Sequence, residues 1–199
     1  MKKVQLAILM MLSLVLVNCS DDLSKDFENN IISDSEMNDL KYLREEEKLA
    51  RDVYLYAFDK YQENIFDNIS KSEQTHMDKV LVLLNKFNIE DSASPIKGEF
   101  NNQELSNLYS DLINIVDLSL NDALTVGANI EDLDILDIEK MLLNTDNLEI
   151  RTMYENLQCG SKNHIRSFNN KLGGNYMPKY ISIDLFNVII NDTNGGCGN

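Results

Sequence analysis

Apolar residues recur at three- and four-residue steps along most of the chain, a pattern typical of helices that bury one face. Ser119 with Asp122 predicts a capping box, and Gly173 with Gly174 predicts a helix end. No long stretch alternates with the period of a β-strand. The predicted fold class is therefore all-α, a four-helix bundle with a long helical central connection. We predict four main helices and one shorter connecting helix: residues 35–61, 70–87, 120–143 and 147–172, with the connection at 102–116.

The N-terminus has a different pattern. Lys2 and Lys3 precede an unbroken apolar run, residues 6–17, which is typical of an export signal and short for a membrane span. The run ends at Leu16-Val17-Asn18-Cys19, which resembles the cleavage site of a bacterial lipoprotein, although Asn18 stands where a small residue is usual. Cleavage there would leave Cys19 as the lipid-bearing first residue.

The segment after Cys19 bears on where the protein resides. Ser20-Asp21-Asp22 resembles the surface-export signal of Bacteroidetes lipoproteins. We therefore expect an exported, membrane-anchored lipoprotein of the outer membrane or cell surface; an ordinary cleaved signal or an N-terminal anchor helix is the alternative. The predicted organisation is a signal peptide (1–18), a flexible tether (19–34), a helical bundle (35–190) and a disordered tail (191–199).

The net charge and the cysteine content limit the kinds of partner and bond that the chain can have. A formal net charge of −15 repels nucleic acid and attracts cations, so we expect no nucleic-acid partner. Export would permit Cys159 and Cys197 to pair, which the sequence leaves open. The sequence also leaves the oligomeric state open, and a homodimer is compatible with it.

The chain contains an internal repeat. Residues 65–76 (IFDNISKSEQTH) align with residues 153–164 (MYENLQCGSKNH), so that the only two histidines, His76 and His164, coincide. Two helix pairs related in this way would face each other across a pseudo-two-fold axis. We therefore expect both histidines to point into one shared interior.

Titratable residues occupy the apolar stripes of all four main helices. A buried carboxylate is costly unless it is paired, protonated or bound to a metal. Glu45 and Glu46 are expected to face solvent, and Tyr54 is expected to be a core tyrosine. The predicted metal ligands, which we expect to converge, are Glu47, Glu73, His76, Glu131 and His164.

The spacing Glu73-x-x-His76 places a carboxylate and an imidazole on one helix face, within reach of the same ion. Such ligands suit iron or manganese and also accept zinc. One Glu from each of two helices, with Glu-x-x-His from the others, is the arrangement of di-iron and di-manganese carboxylate proteins. The alternative is a bundle whose buried Glu and His satisfy each other by hydrogen bonds.

Four segments carry a resemblance to the ferritin-like superfamily, and within it to an uncharacterised family of ferritin-like domains of bacteria and archaea. They are residues 43–54 (LREEEKLARDVY), 72–77 (SEQTHM), 127–131 (GANIE) and 160–164 (GSKNH). The resemblance covers about residues 40–180. It implies that Glu47 is a terminal ligand, that Glu73 bridges two ions, and that Glu131 is the ligand from the third main helix. It also implies that His76 and His164 each bind one ion.

One position departs from the symmetric pattern. Ser161 stands where a second Glu-x-x-His would have its Glu, so the site has one protein bridge or holds one ion. Asp134 or Glu155 could compensate. We expect a redox-active iron (or manganese) protein, an oxidoreductase that oxidises Fe(II) or removes peroxide. The alternatives are a non-catalytic surface metal-binding protein and a structural bundle with a degenerate site.

Overall fold

Six helices account for most of the structure, a computed structural model that describes residues 32–192. In chain order they are α1 (Asp34–Tyr61), α2 (Asn64–Lys86), α3 (Gln103–Val116), α4 (Leu120–Leu143), α5 (Leu148–Lys171) and α6 (Ile183–Asn191). Residues 32–192 contain no β-strand. The predicted all-α class is therefore confirmed.

Polar side chains fix where most of the helices begin. Ser33 makes a full capping box with Glu36 at the start of α1, where the Glu36 amide donates to Ser33 Oγ at 3.2 Å. Of the capping box predicted at Ser119, the helix cap is present, because the Ser119 Oγ accepts from the Asp122 amide at 3.1 Å. Asn102 and Asn147 cap α3 and α5 in the same manner. These caps explain why the bounds of α3, α4 and α5 lie within one residue of those predicted.

The start of α2 was wrongly predicted at residue 70. The helix begins at Asn64, because Gln62 adopts a left-handed φ of 54° and reverses the chain within a two-residue connection. Its amide closes the end of α1 by donating to the Phe58 carbonyl at 2.9 Å. Neither glycine nor proline marks this turn, so the sequence gives no local sign of it.

The four long helices pack as two pairs. Helix α1 lies along α2 and α4 lies along α5, and the pairs meet through α1 with α4 and α2 with α5. Helix α3 packs across α1 and α4. This arrangement places one face of each long helix in a shared interior.

The apolar core of that interior is in two parts. Phe66, Val53 and Phe168 belong to one cluster, and Leu43, Val80 and Leu157 to the other. Along α1, α2 and α5 several buried polar residues lie between the clusters. They include Glu46, Glu47, Glu73, His76, Ser161 and His164.

The connection between α2 and α3 is held by acidic residues of α1. Glu45 accepts hydrogen bonds from the amides of Asn101 and Asn102 at 2.8 and 2.7 Å, and Asp52 accepts from the Gly98 amide at 2.9 Å. The expectation that Glu45 and Glu46 face solvent is therefore wrong, and each is 2% exposed. Helical spacing could not reveal this, because the connection and α3 cover a face of α1 that the four long helices leave open.

The segment after α5 closes on α4 through one carboxylate. Buried Asp132 accepts from the amides of Lys179, Tyr180 and Ile181 at 2.6–3.0 Å, and from the Tyr176 hydroxyl at 2.9 Å. The apolar stretch expected to pack as a short closing segment forms α6, whose Phe186 and Ile189 are buried.

Several predictions concern residues outside the described part of the chain. These are the signal peptide, the lipid on Cys19, most of the tether and most of the tail. Cys159 is disulfide-bonded, and both other cysteines, Cys19 and Cys197, lie outside residues 32–192. None of the helices within residues 32–192 combines the length and the apolar character needed to cross a bilayer.

Candidate metal centre

Each long helix contributes to one buried polar group at the middle of the interior. Glu47 lies on α1, Glu73 and His76 on α2, Glu131 on α4 and His164 on α5. The three carboxylates are 0% exposed, and the two imidazoles are 4% and 9% exposed. The structure therefore brings all five predicted residues together, on the helix faces that the apolar periodicity indicated.

Glu73 is the centre of this group. One of its oxygens, Oε2, lies 2.7 Å from His76 Nδ1, and the other, Oε1, lies 2.8 Å from His164 Nδ1. The two imidazole rings stack with centroids 5.6 Å apart. Glu73 thus faces one histidine with each oxygen, which is the placement that a bridging carboxylate needs.

Glu47 and Glu131 complete the group on opposite sides. His76 Nδ1 is 3.1 Å from Glu47 Oε2, and His164 Nδ1 is 3.3 Å from Glu131 Oε2. Two sets of three potential ligand atoms result, each within 4.8 Å of one another: Glu47, Glu73 and His76, and Glu73, Glu131 and His164. The geometry offers two adjacent positions for a cation, with Glu73 common to both.

The hydrogen bonding of these carboxylates is incomplete. Both oxygens of Glu73 and Oε1 of Glu47 are buried without a hydrogen-bond partner among the described residues. The Glu73 oxygens lie close to the imidazole nitrogens but out of hydrogen-bond alignment. A buried carboxylate without a matching charge or proton costs on the order of several kcal/mol, so these carboxylates need protonated histidines or a metal beside them. Carboxylate and imidazole atoms that face a common point are the ligands that iron, manganese and zinc accept, so the residues present fit a metal.

When no metal is present, the charges around the two histidines favour their protonated forms. Burial alone would lower the pKa of His76, but the Glu47 and Glu73 charges outweigh it and raise this pKa to about 10. The pKa of His164 is raised in the same way by Glu73 and Glu131. Two imidazolium charges also overcome the effect of burial on Glu73, whose pKa falls well below its usual value.

The two outer carboxylates behave differently from Glu73. Burial raises the pKa of Glu47 to about 8 against the opposing effect of His76, and burial also raises the pKa of Glu131. Both histidines of the metal-free centre therefore favour their protonated forms, and burial favours the protonated form of each outer carboxylate. Metal ions would have to displace these protons.

Tyr54 connects the centre to the apolar core. Its hydroxyl donates to Glu131 Oε1 at 2.6 Å and lies 3.3 Å from the Gly127 carbonyl. The ring packs against Phe66 and Phe168, so the residue is a core tyrosine as predicted and also fixes a candidate ligand. Glu131 thereby keeps its other oxygen toward His164.

Gly160 is a site residue whose role the sequence pattern does not indicate. A Cβ at this position would lie 2.6 Å from both Cε1 and Nε2 of His76. The absence of a side chain therefore lets the His76 ring lie against α5 with Nδ1 toward Glu47 and Glu73. Nothing in the spacing of the sequence marks this close approach.

The two residues considered as substitutes for a second bridging Glu do not join the centre. Glu155 is exposed and faces Arg151 at 3.8 Å. Asp134 is buried, but neither set of potential ligands includes it. Ser161 is buried and its hydroxyl donates to the Leu157 carbonyl of its own helix at 3.3 Å, so it brings no charge to the centre.

The chain is similar to other proteins over most of its length. Residues 36–193 match the family described as "Uncharacterized protein domain (DUF2202)". The uncharacterized protein MJ0754 of Methanocaldococcus jannaschii is 50% identical over 169 residues, which cover 81% of this chain and 90% of that protein. The crystal structure of hypothetical protein MJ0754 from Methanococcus jannaschii matches at 49% identity with a TM-score of 0.79, over 80% of this chain and 94% of the other. By the extent of these matches, the chain belongs to the DUF2202 family.

Proposed function

We propose that the four long helices form a ferritin-like bundle whose five central side chains hold two redox-active metal ions. The observation that carries this proposal is the position of Glu73, with one oxygen at 2.7 Å from His76 Nδ1 and the other at 2.8 Å from His164 Nδ1. A carboxylate shared by two histidine-containing ligand sets is what a two-metal site in a helical bundle requires.

Iron is the metal we propose, with manganese and then zinc as alternatives, since oxygen and imidazole ligands suit all three. When bound, iron or manganese would supply electron-transfer chemistry toward oxygen or peroxide. The proposed reaction is the oxidation of Fe(II) by oxygen or by peroxide, and in the second case the electrons of Fe(II) would reduce the peroxide to water. Ser161 in place of a second bridging Glu favours a reaction at the metal, because fewer protein ligands leave more coordination positions open.

The residues around the centre would hold it in position rather than react. Glu73 would bridge the ions, Glu47 with His76 would complete one position, and Glu131 with His164 the other. The Tyr54 hydroxyl orients Glu131. Two apolar clusters flank the polar layer and limit the access of water.

Anaerobic loading with Fe(II), followed by a pulse of oxygen, tests the proposal. We expect oxygen consumption and near-ultraviolet absorbance of Fe(III) that grow together to a stoichiometric limit. Glu73→Gln should abolish both while far-ultraviolet circular dichroism stays helical. Glu155→Gln is the matched control, since it removes the same charge from an exposed position on α5. Equal oxidation by the Glu73→Gln variant would contradict the proposal.

A second function, metal holding without turnover, is favoured by the burial of the ligands. All five side chains are at most 9% exposed, so a reactant has little direct access. Stoichiometric Fe(II) binding without oxygen consumption would support this function. Absence of binding would leave a structural bundle with an empty site.

We also propose, from the N-terminal sequence, that the protein is exported and carried on the outer membrane or cell surface by a lipid on Cys19. Incorporation of labelled palmitate by the parent protein, lost in Cys19→Ser, would support the anchor. Equal labelling of both proteins would contradict it.

A further inference from the structure

A second pair of buried carboxylates lies beside the metal centre. Glu46 on α1 and Asp134 on α4 are 2% and 1% exposed. All four of their carboxylate oxygens are buried without a hydrogen-bond partner among the described residues. Carboxylates in this state need a proton or a cation, and the proposed roles of the centre use neither residue.

The pair borders a small cavity between α1, α3 and α4. The cavity measures about 20 Å³, which is enough for one water molecule or one bare cation. Its other walls are mainly apolar side chains of α1, α3 and α4, with Asn129 and Tyr180, and Glu46 and Asp134 are the only charged residues among the described residues that line it. A cation there would therefore meet two carboxylates and few competing groups.

The pair also lies between the surface and the centre. On its outer side, Asp137 follows one turn after Asp134 on α4 and its charge acts on Glu46. The Asp137 side chain is 16% exposed and forms an ion pair with Lys140 at 2.7 Å. On its inner side, Asp134 is close enough to Glu131 and Glu47 for their charges to act on it. Carboxylates thus lead from the partly exposed Asp137–Lys140 ion pair on α4 to the metal ligands.

We propose that Glu46 and Asp134 form a transit site, which takes a divalent cation from the Asp137 side and passes it to the centre. This inference rests on the proposed metal-binding function. Oxygen-only ligands suit hard cations such as Mn²⁺ and Fe²⁺. Transfer is directed inward because the centre offers imidazoles as well as carboxylates, and once the centre is filled its two ions repel a third ion in the neighbouring pair. The pair would hold a cation best while the centre is empty.

The rate of Mn²⁺ uptake by the metal-free full-length protein tests this site, followed by stopped flow with a fluorescent indicator of free Mn²⁺. The double variant Glu46→Gln/Asp134→Asn should take up Mn²⁺ roughly tenfold or more slowly, because the paired charges no longer concentrate the ion along its path. The final Mn²⁺ content should equal that of the parent. Glu139→Gln, which removes an exposed charge from the same helix, should load at the parental rate.

The possible outcomes distinguish a failure of the transit site from a failure of the proposed function. Parental uptake with an unchanged rate in the double variant would overturn only the transit site. A lower final content in the double variant would make the pair part of the centre, and would also overturn it. No uptake by the parent would overturn the proposed function, and this inference with it. If the double variant does not fold, Glu46→Gln and Asp134→Asn are tested singly, and each should slow uptake.

Discussion

At the residue scale, the positions of the candidate ligands depend on a few close contacts. Glu73 faces both histidines, the Tyr54 hydroxyl fixes Glu131 at 2.6 Å, and Gly160 leaves space for the His76 ring. The five candidate ligands could be predicted from the sequence, because buried polar residues interrupt apolar stripes at a regular spacing. The roles of Gly160, Glu46 and Asp134 could not, because they depend on how neighbouring helices approach.

Gly160→Ala tests the close approach of α5 to His76. The added Cβ would lie 2.6 Å from two ring atoms, so the imidazole must move from its position beside Glu73. We expect the affinity for Mn²⁺ to fall by at least roughly tenfold, or about 1.4 kcal/mol, in a competition titration against a chelator. Helix stability should not fall for local reasons, since alanine favours a helix more than glycine does.

Ser161→Ala is the matched control for Gly160→Ala. It changes the next residue of α5, whose hydroxyl bonds to its own helix at the Leu157 carbonyl. We expect its Mn²⁺ affinity to stay close to that of the parent. Equal losses in both variants would contradict the positioning role of Gly160.

At the scale of elements, each helix is defined both by its apolar stripe and by what covers its other faces. Capping residues such as Ser119 and Asn147 made the bounds of α4 and α5 predictable. The early start of α2 was not, because Gln62 reverses the chain without a turn residue. The burial of Glu45 also escaped prediction, because it depends on the connection that leads to α3.

Asp132→Ala tests how the C-terminal segment attaches to α4. The variant loses the acceptor for three backbone amides and the Tyr176 hydroxyl. We expect the free energy of unfolding in urea to fall by about 3 kcal/mol, since the amides of a buried turn lose their partner. Hydrogen exchange should speed up most in α6. Asp111→Ala, at an exposed position of α3, should have almost no effect, and an equal effect of the two variants would contradict this attachment.

At the scale of the whole molecule, a divided apolar core surrounds a layer of ionisable groups. Two clusters of large apolar side chains stabilise the fold on either side of this layer. The layer itself contributes stability only when its charges are matched by protons or metal ions. Metal content and pH should therefore control the stability of this protein together.

The stability of the metal-free protein should fall as the pH rises. The pKa of Glu47 increases from 4.5 to about 8 on folding, and that of His76 from 6.5 to about 10. The folded state therefore binds more protons than the unfolded state in this range, which makes unfolding easier with rising pH. From about pH 5.5 to about pH 8.5 we expect a loss on the order of a few kcal/mol in urea unfolding.

The metal-loaded protein provides the control for this pH dependence. Bound ions replace the protons on the ligands, so the stabilisation by metal should increase with pH in the same range. A metal-free protein that is more stable at the higher pH would contradict the protonated state of the centre.

The central claim is that five side chains hold two metal ions that share Glu73. Anomalous diffraction from crystals of the Mn²⁺-loaded protein tests it most directly. The account predicts two peaks, one among Glu47, Glu73 and His76 and the other among Glu73, Glu131 and His164. The absence of any peak at these ligands, or a single peak that Glu73 does not share, would contradict it.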